Sequence, residues 1–319
     1  MCRINPRVDF AFKKLFGSDG NQDLLISLLN AILSEEPPII QVILKNPYNL
    51  ADYKADKMSI LDIKAQDQNG RWFNVEMQIS QDYYFDKRAI YYWAKLVTEQ
   101  LTEGMMFKEL QKTFSINILN FNFIYGREEF HNRYKIINTE TKKDDGLHDV
   151  FELHYLELRK FHKPYHQLVT ALDRWSTFLT RAHELNKENL PTELEQDPAI
   201  KKAVQAVDRM FDEEERQIYE VRMQAIAEVD SKIASALDKG RREGLEEGIE
   251  KGIEKGMEKG MKKGMKKGME KGREEGREEG REQAMRELAV KLLDVLDVPT
   301  VAAKTGLSLA EVKALKQQP

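Results

Sequence analysis

The sequence predicts an α/β protein: a small mixed β-sheet flanked by helices, followed by a long glycine-repeat tail, helical or flexible. Three observations carry this. Two segments alternate apolar and polar residues on either side of a tight turn at Asn69-Gly70. Helix-type and strand-type segments succeed one another as helix, three strands, helix, strand. Glycine then recurs at every fourth position from Gly240 to Gly280, eleven in all.

The elements follow in order. Asp9 to Leu33 reads as a short helix with Phe10, Phe12, Leu15 and Phe16, a break at Gly17-Ser18-Asp19-Gly20, and a longer helix with Leu24, Leu25, Leu28, Leu29 and Ile32. Ile39 to Leu44 is a strand after Pro37-Pro38. The hairpin strands, Met58 to Gln66 and Arg71 to Ile79, come next, then an aromatic-rich helix from Tyr83 to Leu101. Phe114 to Phe123 and Asp149 to Leu158 read as strands, Tyr165 to Leu185 as a helix around Trp175, and Pro191 to Asp238 as increasingly polar helix. Three regions are expected: 1–235 as the main domain with a helical extension, 236–283 as the repeat, and 284–319 as a short helical segment.

The hairpin carries the chemistry. In its first strand Leu61, Ile63 and Ala65 oppose Asp62, Lys64 and Gln66; in its second, Phe73, Val75, Met77 and Ile79 oppose Asn74, Glu76 and Gln78. A two-residue loop would pair residue 62 with 77 and send the carboxylates to different faces. A three-residue loop, Gln68-Asn69-Gly70, pairs 67 with 71 and hence 62 with 76, with Gly70 supplying the left-handed conformation. A one-residue slip would expose one strand's apolar face, so the three-residue loop is expected. Asp62 and Glu76 then sit opposite each other, costly without a cation between them. Oxygen-only ligation of this kind suits Mg2+ or Mn2+ rather than zinc.

Composition narrows the alternatives. The single cysteine, Cys2, excludes a disulfide framework and a zinc ribbon, and is compatible with a reducing cytosol. No apolar run approaches the roughly 18 residues of a membrane span and no signal peptide precedes Arg3, so a cytoplasmic protein without membrane partners is expected. A net charge of −4 is not that of a strongly basic nucleic-acid binder. Contact with DNA must therefore use local basic patches.

Val8-Asp9-Phe10-Ala11-Phe12-Lys13-Lys14-Leu15-Phe16-Gly17, Leu61-Asp62-Ile63-Lys64-Ala65, Gly70, Asn74-Val75-Glu76-Met77-Gln78 and Arg88-x-x-Tyr91-Tyr92 follow one another in order. In this combination, joined by Leu153-His154-Tyr155-Leu156-Glu157-Leu158 and the Gly-Glu-rich tail, the chain resembles the Rpn recombination-promoting nucleases. These are often labelled transposases, within the PD-(D/E)XK superfamily. The resemblance implies a restriction-endonuclease-like core and metal-dependent hydrolysis of DNA phosphodiesters that promotes recombination. It implies Asp62 and Glu76 as metal ligands and Gln78 where the superfamily usually has a lysine that orients or activates water. Glutamine there is shared with the Rpn family. Lys64, on the face of Asp62, could supply the missing cation, and Asp9 resembles an additional acid beside the metal. Lys13, one helical turn later, and Lys87 and Arg88 after the hairpin are candidate phosphate contacts.

Each has a plainer counterpart. Asp9 suits a helix start by its charge, and Lys13, Lys64 and Arg88 suit solvated or ion-paired roles. His162 and His166 are separated by Pro164, which breaks the helix that would align them. The repeat is nearly neutral, and eleven glycines at about 0.8–1 kcal/mol each disfavour an isolated helix. Either a partner helix packs on the glycine stripe beside Leu245, Ile249, Ile253 and the methionines, giving a homo-oligomer, or the segment is a flexible polyampholyte. Thr300 to Thr305, Gly306, and Leu309 to Lys316 behind Ser308 have helix-turn-helix spacing, with few basic residues. A non-catalytic DNA-binding or assembly protein is the alternative to the endonuclease.

Overall fold

The computed structural model describes residues 4–46, 48, 63–146, 149–185 and 187–317. The chain divides into two compact units, Met1–Ile233 and Ala234–Pro319. In the first, α1 (Asp9–Gly17) and α2 (Gln22–Ile32) are separated by the expected break. β1 (Val42–Leu44), β2 (Ile63–Asp67) and β3 (Trp72–Gln78) lead into α3 (Phe85–Thr98). β4 (Thr113–Leu119), β5 (His131–Lys135) and β6 (Phe151–Glu157) complete a six-stranded sheet of order β1-β2-β3-β4-β6-β5. The sheet is mixed: β3, β4 and β6 are parallel, while β1, β2 and β5 pair antiparallel with their neighbours.

The hairpin adopts the three-residue loop. Ile63 pairs with Val75, Lys64 with Asn74 and Gln66 with Trp72. The Asp67 amide donates to the Arg71 carbonyl at 3.0 Å, and Gly70 takes φ +80°. That left-handed angle is what glycine supplies at this position. Asp67 is more than a turn residue: its carboxylate accepts from the Asn69 and Arg71 amides, both at 2.9 Å, and from Arg71 Nε at 2.7 Å.

β3 is central, so both its faces are covered. Toward one side, Phe73, Val75 and Met77 join Ile63, Ala65, Phe114, Ile116, Ile118 and Leu156 in the main core. Phe10, Phe12, Phe16 and the α2 leucines fill this core with Trp175 and Phe178 of α4 (Ala171–Arg181). The other side of the sheet faces α3, whose Phe85 and Ala89 pack on Leu119, Phe121, Leu153 and Tyr155. Asn74, Glu76 and Asn117 share this α3 side by strand alternation and register. They are therefore buried at 0, 6 and 0% exposure rather than lying on a wet strand face.

Several expectations need correction. β5 was not expected: His-Asn-Arg-Tyr-Lys is too polar to read as a strand, and it forms because an edge strand needs a partner on one side only. The helix expected over Tyr165 to Leu185 starts later, because Asp173 caps the amides of Val169 and Thr170. What precedes it is a 3-10 turn, Tyr165–Gln167. Pro191 to Asp238 is broken at Asp197, which caps α5 (Pro198–Arg209), and again before α6 (Glu213–Leu292). α6 runs unbroken from Glu213 to Leu292, so the glycine repeat is helical, and its glycines have no side chain against them.

The second unit closes on a small core of Ala289, Val301 and Val312. α7 (Val298–Thr305) ends at Gly306, φ +72°, and α8 (Leu309–Lys316) starts at Ser308, whose hydroxyl accepts from the Glu311 amide. Among the described residues no helix is long and apolar enough to cross a membrane.

Candidate metal and nucleic-acid site

Asp62 lies outside the described residues. Its expected partner, Glu76, stands in the middle of β3, buried on the α3 side. Two more oxygens share that side. The Asn74 side chain, completely buried, has no hydrogen-bond partner among the described residues for either amide atom, nor has Asn117 Oδ1. Buried polar atoms left in this way normally mark a missing ion or water. The donors are carboxylate and amide oxygens, which fits a hard divalent cation and not zinc. Among the described residues no three His, Cys, Asp or Glu side chains converge for a metal.

Gln78 ends β3, at the carboxyl edge where open α/β sheets bind ligands. Arg88 Nη2 of α3 donates to its Oε1 at 2.7 Å, and its Nε2 donates to the Ser80 carbonyl at 3.3 Å. The amide is thereby oriented with its oxygen occupied. It can offer an N–H to a water or phosphate oxygen, but it is poorly placed to accept a proton. Arg88 is held in turn by Asp82 at 3.0 Å and lies over the Phe85 ring, so it acts as a brace between α3 and β3.

Asp9 reaches the same end of β3. It lines a pocket of about 160 Å3 with Met77, Gln78, Ile79, Ser80, Arg222 and Ile226. Arg222 Nη1 of α6 lies 2.9 Å from Asp9 Oδ2. Nearby, the Asn120 amide donates to the Gln78 carbonyl at 2.9 Å, and Arg7 Nη1 donates to Asn120 Oδ1 at 2.7 Å. Burial and then the neighbouring Arg159 hold the Arg7 guanidinium below its ordinary pKa. Arg7, Arg88 and Arg222, drawn from three distant parts of the chain, thus meet at the carboxyl end of β3, Arg88 and Arg222 each paired with an aspartate. Arg7 and Arg222 were missed in the sequence because nothing local marks them: their partners are 113 and 213 residues away.

The remaining candidates are placed differently. Lys64 is on the Asn74 face, but its ammonium is bound to Glu99 and lies 5.4 Å from the Trp72 ring centroid. Lys13 is half-buried along α1, whereas Lys87 is exposed, 5.3 Å from the Tyr84 ring centroid. A second cavity, about 460 Å3, is lined by Asn30, Glu35, His131, Arg133 and Thr170 and includes none of the residues singled out from the sequence.

A mixed sheet between helices, with a hairpin whose inner strand carries a buried acid and ends on the ligand-binding edge, is a restriction-endonuclease-like α/β fold. The chain belongs to the PD-(D/E)XK nuclease family transposases, whose family model matches residues 6–236. This bears out the resemblance read from the sequence. Nothing matched among curated proteins or solved structures. Nucleases of this superfamily generally use divalent metal ions and act on DNA.

Proposed function

We propose that the protein is a cytoplasmic, Mg2+- or Mn2+-dependent DNA endonuclease whose cuts promote recombination. The hairpin register carries this reading. Ile63 pairs with Val75, and were the ladder to continue by one step, Asp62 would stand opposite the buried Glu76. Asp62 and Glu76 would hold the ion. When bound, the ion supplies a water acidic enough to attack and a charge to offset the extra negative charge of a phosphodiester transition state. Gln78 would orient that water through its N–H, with Arg88 fixing the amide. Arg7 and Arg222 would draw the DNA backbone to the carboxyl end of β3, and Asp9 would act through Arg222 and the shared pocket.

The test is plasmid relaxation by purified full-length protein in Mg2+ or Mn2+. Nicked or linear product is expected, suppressed by EDTA and by Asp62→Ala. Cleavage unchanged in Asp62→Ala would remove the site assignment. One observation favours the second reading, a DNA-binding or assembly protein without catalysis: Gln78 brings no charge and its oxygen is committed to Arg88. No cleavage with any divalent metal would select it.

Self-association through α6 belongs to the same proposal. Eleven glycines cost an isolated helix about 10 kcal/mol relative to alanine. The i,i+4 ion pairs along it, such as Lys262 with Glu258 at 2.6 Å, return only about 0.2–0.5 kcal/mol each. A second helix seated on the glycines and on the exposed Leu245, Ile249, Ile253, Met257 and Met261 would make up the difference. Glu250, Glu254 and Glu258 form one column beside that stripe and Lys251, Lys255 and Lys259 the next. A parallel partner sets unlike columns together, whereas an antiparallel one sets like against like. Sedimentation is expected to show an oligomer that reverts to monomer when residues 240–280 are deleted; an oligomer surviving the deletion places the interface elsewhere.

A further inference from the structure

Lys87, Arg88, Tyr91 and Lys95 form one stripe along α3, Arg88 at its inner margin, and Tyr84, the residue that caps the helix, continues it. At 100° per residue they fall within an arc of about 100°. Tyr84 and Tyr91 are 70 and 64% exposed, with Tyr83 beside them at 76%. Three large rings in water on one short segment are more than scattered surface apolar residues. Lys87 lies between the two tyrosines of the stripe, with its ammonium 5.3 Å from the Tyr84 ring centroid. No acidic side chain shares the arc: Asp86 projects from the opposite side of the helix, and Asp82 is already paired with Arg88.

Rings alternating with cations match a chain in which bases alternate with phosphates. Every base offers a face for stacking, but in a duplex those faces are covered, so a ring platform selects unpaired nucleotides. From Tyr84 to Tyr91 the helix rises about 10 Å, close to three base steps of about 3.4 Å. The stripe is joined to the candidate catalytic strand by the bond from Arg88 to Gln78.

We propose that this face of α3 binds single-stranded DNA, with bases stacked on Tyr84 and Tyr91 and phosphates on Lys87 and Lys95. The strand it holds is led to the carboxyl end of β3. The inference rests on the nuclease reading for what becomes of that strand, but not for the binding itself.

The test measures binding without cleavage. Full-length protein in EDTA is titrated into a fluorescein-labelled oligothymidine and into a labelled duplex of equal length, with anisotropy as the readout. The single strand is expected to bind more tightly. Tyr84→Ala and Tyr91→Ala should each weaken it by about tenfold, while Tyr91→Phe, which keeps the ring, should retain affinity. Equal affinity for duplex and single strand overturns the proposal, as does single-strand binding indifferent to both alanine variants. If instead Tyr91→Ala turns an oligomer into a monomer in sedimentation, the face is a contact between copies and the proposal fails. Tight metal-free binding of the single strand, with no cleavage in any metal, would sink the nuclease reading and leave this one standing.

Discussion

Glu76→Gln is expected to lower metal-dependent cleavage at least about 100-fold and to abolish the stabilisation that Mg2+ or Mn2+ gives the folded protein. The substitution keeps the shape of the side chain and one oxygen, and removes the charge from a strand position buried on both faces. A ligand that binds only the folded state stabilises it by about 2.7 kcal/mol at one hundred times its Kd. For a unit of this size that raises the melting temperature by about 5–10 °C. Thermal melts of wild type and variant, each with EDTA and with saturating metal, read this directly. A variant whose melting temperature still rises with metal as the wild type's does is not missing a ligand, even if it has ceased to cut. Measuring both separates loss of the ion from loss of a later step.

The hairpin was legible because two independent constraints agreed. Only a three-residue loop keeps Ile63, Ala65, Phe73 and Val75 on one face, and that loop needs a left-handed residue where Gly70 stands. The break after α1 was legible from Gly17-Ser18-Asp19-Gly20, and β4 and β6 from apolar residues at alternate positions, Phe114, Ile116 and Ile118 in one and Phe151, Leu153 and Tyr155 in the other. The surroundings of the candidate site were not. Arg7, Arg222 and Asn120 meet Asp9 and Gln78 through tertiary contacts between distant segments, and no local pattern encodes them. The Arg88 brace was half visible: its charge suggested a phosphate contact, while the structure commits it to Gln78 and Asp82. The repeat stayed open in the sequence, between a helix packed on a partner and a flexible segment. Propensity alone argued against a helix, whereas the chain keeps one for 80 residues, a conflict that a partner helix would resolve.

The buried charges behind the sheet give the first unit an acid-sensitive stability. Glu152 is fully buried, with Lys112 Nζ 3.0 Å and Lys135 Nζ 3.3 Å from Oε2. His154 Nε2 lies 3.0 Å from Oε1, and His154 Nδ1 lies 2.9 Å from His131 Nε2. With Glu152 ionised, His154 must donate from Nε2, so its Nδ1 accepts and His131 donates; both imidazoles are neutral. Burial, and then the nearby His154 and Arg133, pushes His131 down to about 4. Burial would raise Glu152, but the hydrogen bonds from His154 and Lys112 outweigh it and hold the carboxyl at about 2. Both shifts act in one direction. Between pH 6.5 and 4 the unfolded chain protonates His131 and the folded chain does not, so stability falls as pH falls through that window. Between about 4.5 and 2 the unfolded chain protonates Glu152 first, and stability falls again. Each shift corresponds to about 3 kcal/mol across its window. Urea unfolding at pH 7, 5.5 and 4 should show the first loss, and His131→Gln, which keeps a donor for His154, should flatten it. At pH 7, Glu152→Gln should cost about 3–5 kcal/mol, because it leaves Lys112 and its neighbours without their shared anion. A wild-type stability that stays level from pH 7 to 4.5, or a Glu152→Gln variant as stable as the parent, would mean that these groups are solvated rather than locked together behind the sheet.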